Sequence, residues 1–213
     1  YGFERVIESY ELTDKPYRFK PIDIYYHSYI VSKTASLNSL HKVYQWALKQ
    51  PVFPIYSSEY IKKVLDFNDF VIARTPEGYR FRGNGDLKTV RWTDEKNHIN
   101  FADSPQVAGF NRYNGQNYVH LLNSNADLVT QSANNTLPYV ESTNARINRF
   151  VRSKNTLDFS LTGYQPISIT FANASKCQLI QGSKTLATTR QGSRLLLEVN
   201  AHELTALRLS CRP

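Results

Sequence analysis

From Asp69 onward the chain is punctuated by turn signals at intervals of about 8–12 residues, and this rhythm limits its fold more than any other feature. The runs "FVIAR" and "YRFR" flank "TPEG", and "GNGD" leads into "LKTVRW". Asn114-Gly115 is a hairpin signal between "QVAGF" and "NYVHLL". "LDFSLTG", "ISITFA", "CQLIQ", "KTLATT", "RLLLEV" and "ALRLSC" are six further candidate strands, with Gly182 and Gly192 at turns. Residues 124–154 mix Asn-rich loop with candidate strands. Short alternating strands at this spacing predict an all-β sandwich over residues 69–213.

Residues 1–68 have a different texture. "GFERVIESYEL" alternates enough to predict a strand, and "KPIDIYY" is a short apolar run of the kind buried in a parallel sheet. A helix follows, with Thr34 or Ser36 as its cap and Leu37, Leu40, Val43, Tyr44, Ala47 and Leu48 on its apolar face, and Pro51 ends it. "VFPIY" is a second short strand. Ser57 can cap a second helix, "SEYIKKVLDF", with Glu59 in its positive first turn and Ile61, Val64 and Leu65 inward. The order strand, helix, strand, helix predicts an α+β chain in two domains, 1–68 and 69–213.

The charge of +8 is spread without a basic run of five, which argues against a nucleic-acid partner. No apolar segment approaches the roughly 20 residues that span a bilayer. The chain has no methionine, so it reads as an excised or processed piece. Cys177 and Cys211 lie in candidate strands with no histidine spacing suited to zinc. A disulfide, implying an oxidising compartment, and a pair of buried free thiols are the two readings.

His27 ends "IDIYYH", where a parallel βα unit would project it into an active-site mouth. An imidazole there can move a proton near neutral pH, but a histidine that merely closes a strand satisfies the same spacing. His41, His98 and His202 stand alone, and His120 alternates with apolar neighbours as a strand-face residue. Asp66 and Asp69 read as turn and capping residues. Trp92, Tyr113 and Tyr118 are candidate sugar contacts, because aromatic rings offer a large apolar face, although most aromatics in a sandwich are core.

The series "RFKPIDIYYHSYIVSKTASLNSLHKVYQWA", "PIYSSEYIKKVLDF" and "YVHL" resembles the last βα units of the polysaccharide deacetylases of carbohydrate esterase family four, the NodB-homology domains. Within them it is similar to the C-terminal part of the PelA-like family, periplasmic enzymes of Pel exopolysaccharide biosynthesis that deacetylate the polymer. The resemblance implies terminal units of a deacetylase-type (β/α) barrel, with His27 as the general acid that protonates the leaving amine. It also implies an acetylated amino-sugar polysaccharide as substrate, export proteins as partners, a periplasmic location, and zinc or another divalent metal in the complete domain. This chain departs from that pattern, since it has no "DD" motif and no "HxxxH" pair. Neither metal site nor catalytic base can be assembled from it, so the chain alone is expected to be inert. The competing reading is a non-catalytic module whose β region binds polysaccharide or another protein.

Overall fold

The computed structural model describes residues 2–14, 20–93, 96–113 and 115–212. The chain divides into two compact units, one up to Val52 and one from Phe53 onward.

In the smaller unit a 3-10 turn (Phe3–Arg5) runs into helix α1 (Val6–Leu12), and helix α2 (Thr34–Leu48) follows. The expected strand "GFERVIESYEL" is this turn and helix. Winding helically brings Tyr10 onto the ring of Trp46 in α2, stacked at 5.6 Å, and its hydroxyl donates to the Asp23 carbonyl at 2.5 Å. Residues 20–27 and 52–56 have no ladder partner among the described residues, where the expected strands "KPIDIYY" and "VFPIY" are not formed; Arg18 and Phe19 lie outside the described residues. Helix α2 buries Leu40, Val43 and Ala47, as its spacing predicts, while Tyr44 and Leu48 are exposed. Lys33 holds the N-cap position, with no side-chain cap bond from Thr34 or Ser36.

The larger unit opens with helix α3 (Ser57–Asp69). Seven strands follow: β1 (Val71–Thr75), β2 (Gly78–Arg82), β3 (Thr89–Trp92), β4 (His98–Ile99), β5 (Val107–Tyr113), β6 (Gln116–Leu121) and β7 (Ala126–Gln131). They form two antiparallel sheets in the orders β1-β2-β7-β4 and β3-β6-β5. Their inward residues, among them Phe81, Trp92, Ile99, Phe101, Val119, Leu121 and Leu128, share one apolar core. Tyr113 pairs with Gln116 across the β5–β6 hairpin; Asn114 of the turn signal lies outside the described residues.

Nine more strands complete the unit: β8 (Tyr139–Thr143), β9 (Arg146–Ser153), β10 (Thr156–Thr162), β11 (Ile167–Ala172), β12 (Cys177–Gln181), β13 (Lys184–Thr185), β14 (Thr189–Gln191), β15 (Arg194–Val199) and β16 (Glu203–Cys211). Their sheets run β13-β12-β16-β10-β9 and β14-β15-β11-β8, around a second core that includes Leu157, Phe159, Leu161, Ile169, Phe171, Leu179, Leu195 and Leu209. Gly182 and Gly192, at φ of 58° and 60°, occupy the two-residue turns that join β12 to β13 and β14 to β15.

The two sheet pairs meet along β5. Val107 belongs to the first core and its neighbour Ala108 to the second. A Cβ at Gly109 would run into the Val140 carbonyl of β8, so glycine is what lets these backbones touch. Arg152 of β9 fastens the seam: its guanidinium donates to the carbonyl oxygens of Pro138, Val107 and Ala108 and lies 4.6 Å from the Phe101 ring centroid.

These findings correct the expected α+β architecture. Strand makes up 42% of the structure against 21% helix, so the chain is mostly β, and among the described residues no unit of a (β/α) barrel is formed. The β region is also not one two-sheet sandwich but four small antiparallel sheets. Hydrophobic alternation located many of the strands beyond Asp69, but it misread α1 as a strand, left β4 unmarked, and carries no record of which strands share a sheet or how many cores the sheets enclose.

Candidate functional site

Strands β12 and β16 pair antiparallel, with Cys177 opposite Cys211, Gln178 opposite Ser210 and Ile180 opposite Arg208. Side chains alternate across a strand, so Leu179, Leu207 and Leu209 enter the core while Gln178, Arg208 and Ser210 face outward. Cys177 and Cys211 form a disulfide that joins the ends of the two strands, the first of the two sequence readings.

At that end Lys176, Gln178, Arg190, Ser210 and Arg212 line an open cleft of about 480 Å³. Three of the five are cations, and no carboxylate of the described residues lines it. The Arg212 amide donates to the Lys176 carbonyl at 3.2 Å, which holds the two strand ends together. Arg190 reaches in from β14, where its guanidinium donates to the carbonyl oxygens of Ala174, Ser175 and Cys177. Those neutral acceptors fix its position without cancelling its charge. Arg208, one row further along the sheet, differs: Asp158 binds it in bidentate fashion at 2.6 and 3.2 Å, which raises the guanidinium pKa and neutralises that row.

A row of small polar side chains leads away from the cleft. Register places Gln178 beside Ser210, Ser210 beside Thr156, and Thr156 beside Ser153, so the row crosses four strands. At the usual strand spacing it extends about 14 Å. The arrangement can hold an anionic group at one end and hydrogen-bond an extended polar chain along the sheet.

The sequence candidates lie elsewhere. His27 is exposed in the irregular segment before a 3-10 turn (Ser28–Ser32), between the rings of Tyr25 and Tyr29 at 5.2 Å each. Its Nε2 is 3.4 Å from the Tyr25 hydroxyl. No strand projects it into a mouth. Among the described residues no group of three or more His, Cys, Asp or Glu side chains is placed to hold a metal, so the residues present do not provide the donor set that the resemblance implies for a zinc ion. Trp92, a candidate sugar contact, is packed in the first core and offers no ring face at the surface. Tyr113 and Tyr118 are half-buried on β5 and β6.

Two polar groups gain roles that sequence reasoning missed. Asp66, read as a capping or turn residue, is 1% exposed. It accepts hydrogen bonds from the amides of Asn84 (2.5 Å), Asp86 (2.9 Å) and Leu87 (2.7 Å) and from the Ser124 hydroxyl (3.0 Å). Burial alone would raise its pKa, but these four donors outweigh it and hold the carboxylate below its ordinary value. The loop "GNGD" was the available signal, since such a turn can aim several amides at one anion; here Asn84, Asp86 and Leu87 reach the carboxylate and the Gly85 amide donates to the Ser124 hydroxyl oxygen. His120 lies between Thr89 and Gly109 on the neighbouring strands. Burial, and then the charges of Lys88 and Lys63, push its imidazole down to about 4.

No helix among the described residues is long and apolar enough to cross a membrane. Comparison with protein-family models, with curated proteins and with solved structures returned no match, so the geometry of the cleft carries the functional reading.

Proposed function

We propose that the chain is a polysaccharide-binding portion of an exopolysaccharide-modifying protein, with its polymer site at the β12–β16 cleft. The observation that carries this reading is the convergence of Lys176, Arg190 and Arg212, with no lining carboxylate among the described residues, at the head of the Gln178–Ser210–Thr156–Ser153 row. Such a surface favours a sugar chain bearing carboxylates or other anionic groups. It repels the amines that N-deacetylation exposes, so the bound polymer is acidic or still acetylated.

The setting we propose, the C-terminal portion of a metal-dependent N-deacetylase acting in the periplasm, is supported by the resemblance around His27 and by the Cys177–Cys211 disulfide, which suits an oxidising compartment. In that setting His27 protonates the leaving amine only when the metal and base come from the rest of the protein. Replacing His27 with Ala in the complete protein should then lower deacetylation by orders of magnitude; unchanged turnover removes it from the catalytic list.

The binding reading is tested with the full chain on immobilised polygalacturonate, acetylated chitin and chitosan. We expect retention on polygalacturonate, none on chitosan, and weakening with salt. Replacing Lys176 and Arg212 with Glu should weaken binding at least about tenfold, the equivalent of about 1.4 kcal/mol. Retention that ignores these substitutions, or a preference for single-stranded DNA over every polysaccharide, overturns the assignment.

A further inference from the structure

Helix α3 sits on its own unit the wrong way round. Glu59, Lys63 and Asp66 recur at i, i+4 and i+7, so they share one face of the helix. That polar face is the one attached to the β strands. Glu59 pairs with Arg146 at 2.7 Å and accepts from the Tyr164 hydroxyl at 3.3 Å, Lys63 donates to the Asp86 carbonyl at 2.8 Å, and Asp66 binds the three loop amides and Ser124. The opposite face carries Tyr60, Ile61, Val64, Leu65 and Phe67, which are between 40% and 70% exposed. Val71 and Ile72 of β1, the edge strand of its sheet, are both 57% exposed but, as neighbours on a strand, point to opposite sides of the sheet and are not counted with this face.

We propose that this face is an interface with a second copy of the chain, closed across a two-fold axis with the α3 helices antiparallel. Two arguments select that occupant. The five helix side chains expose roughly 500 Å² between them, well above a scattering of single apolar residues and enough for the apolar centre of an interface in which each partner buries ~800 Å² with its polar rim. The charges bordering the face are also self-complementary. Lys62 and Asp69 lie on the same border of the helix near opposite ends, so an antiparallel two-fold pair centred between Leu65 and Asp66 sets each Lys62 against the Asp69 of the other copy. A parallel two-fold pair would put the two Lys62–Asp69 borders on opposite sides of the interface, where these charges do not meet.

The test is sedimentation velocity of the full chain across the micromolar range. The expected result is a dimer whose population rises with concentration. Replacing Ile61 and Leu65 with Asp should weaken it by about 100-fold or more. Both side chains are exposed, so an unchanged thermal unfolding curve under dilute conditions confirms that the fold survives. Lys62→Glu alone should weaken association about tenfold, and adding Asp69→Lys should restore it, a rescue specific to a self-pairing face. Asp69 also accepts from the Asn84 amide group at 3.0 Å, so the Asp69→Lys single variant is measured beside the pair. A monomer at every concentration, or a dimer indifferent to these substitutions, overturns the proposal.

Discussion

Helix α3 and the C-terminal sheet pair are both fixed to the same unit, by opposite physics. The sheets enclose a core of leucine, isoleucine and phenylalanine side chains and are joined at one end by the Cys177–Cys211 bond. Helix α3 is held by a carboxylate among amide donors, an ion pair and a lysine on a carbonyl. Apolar burial is indifferent to proton concentration and tolerant of small shifts, whereas a buried carboxylate is directional and depends on its ionisation. The two attachments should therefore fail under different conditions, acid for the helix and reductant for the sheets.

The sharpest way to break the contrast is Asp66→Ala, which leaves the amides of Asn84, Asp86 and Leu87 without their acceptor, while the Ser124 hydroxyl keeps the Leu87 carbonyl. A loss of about 3–5 kcal/mol is expected in urea unfolding, with accelerated amide exchange in α3 and residues 84–87. Removing the disulfide with Cys177→Ser and Cys211→Ser comes next. The 34-residue separation corresponds to about 3–4 kcal/mol on the chain-entropy model, and exchange in α3 should not change.

Acid separates the two further. The folded pKa of His120 is depressed from 6.5 to about 4, so the unfolded chain binds the extra proton first, and stability falls as pH drops from 6.5 towards 4. The shift amounts to about 3 kcal/mol at most and is complete below pH 4. Protonation there adds a cation beside Lys63 of α3, so a His120→Gln variant should flatten the pH dependence of unfolding over this window. Asp66 acts lower: its stabilisation is present above its unfolded value and is lost as pH falls through its depressed folded pKa. The smallest effect belongs to Leu65→Ser, which should change the stability of monomeric protein by no more than about 0.5 kcal/mol, because the side chain is not in a core. A large loss would mean that the outward face of α3 contributes to folding after all.

The same pair of helices shows where sequence reasoning works. In α2 the apolar spacing identified Leu40, Val43 and Ala47 correctly, although it also placed Tyr44 and Leu48 on the inner face, where both are exposed. In α3 the same reasoning placed Ile61, Val64 and Leu65 inward, and all three are exposed. The deciding partner was a loop some 18 residues away, and periodicity within a helix cannot register it. Hairpins were legible from local turn chemistry, as at Gly182 and Gly192, where left-handed backbone is required. "KPIDIYY" has the composition of a buried strand, but strand formation needs a partner, and residues 20–27 have none among the described residues. The cleft left a trace in the alternation of Lys176 with Gln178 and of Arg208 with Ser210 and Arg212; that the two series face each other depends on register.

The contact of Gly109 with Val140 bears on how this chain can be dissected. A cut between Gln131 and Tyr139 would look natural, since it separates the four sheets into two equal-looking pairs. It would also strip the carbonyl partners Val107 and Ala108 from the Arg152 guanidinium and open the seam that only a glycine permits. The sheet pairs are thus one inseparable object for truncation and domain grafting: neither half, expressed alone, should give a soluble and cooperatively melting fragment.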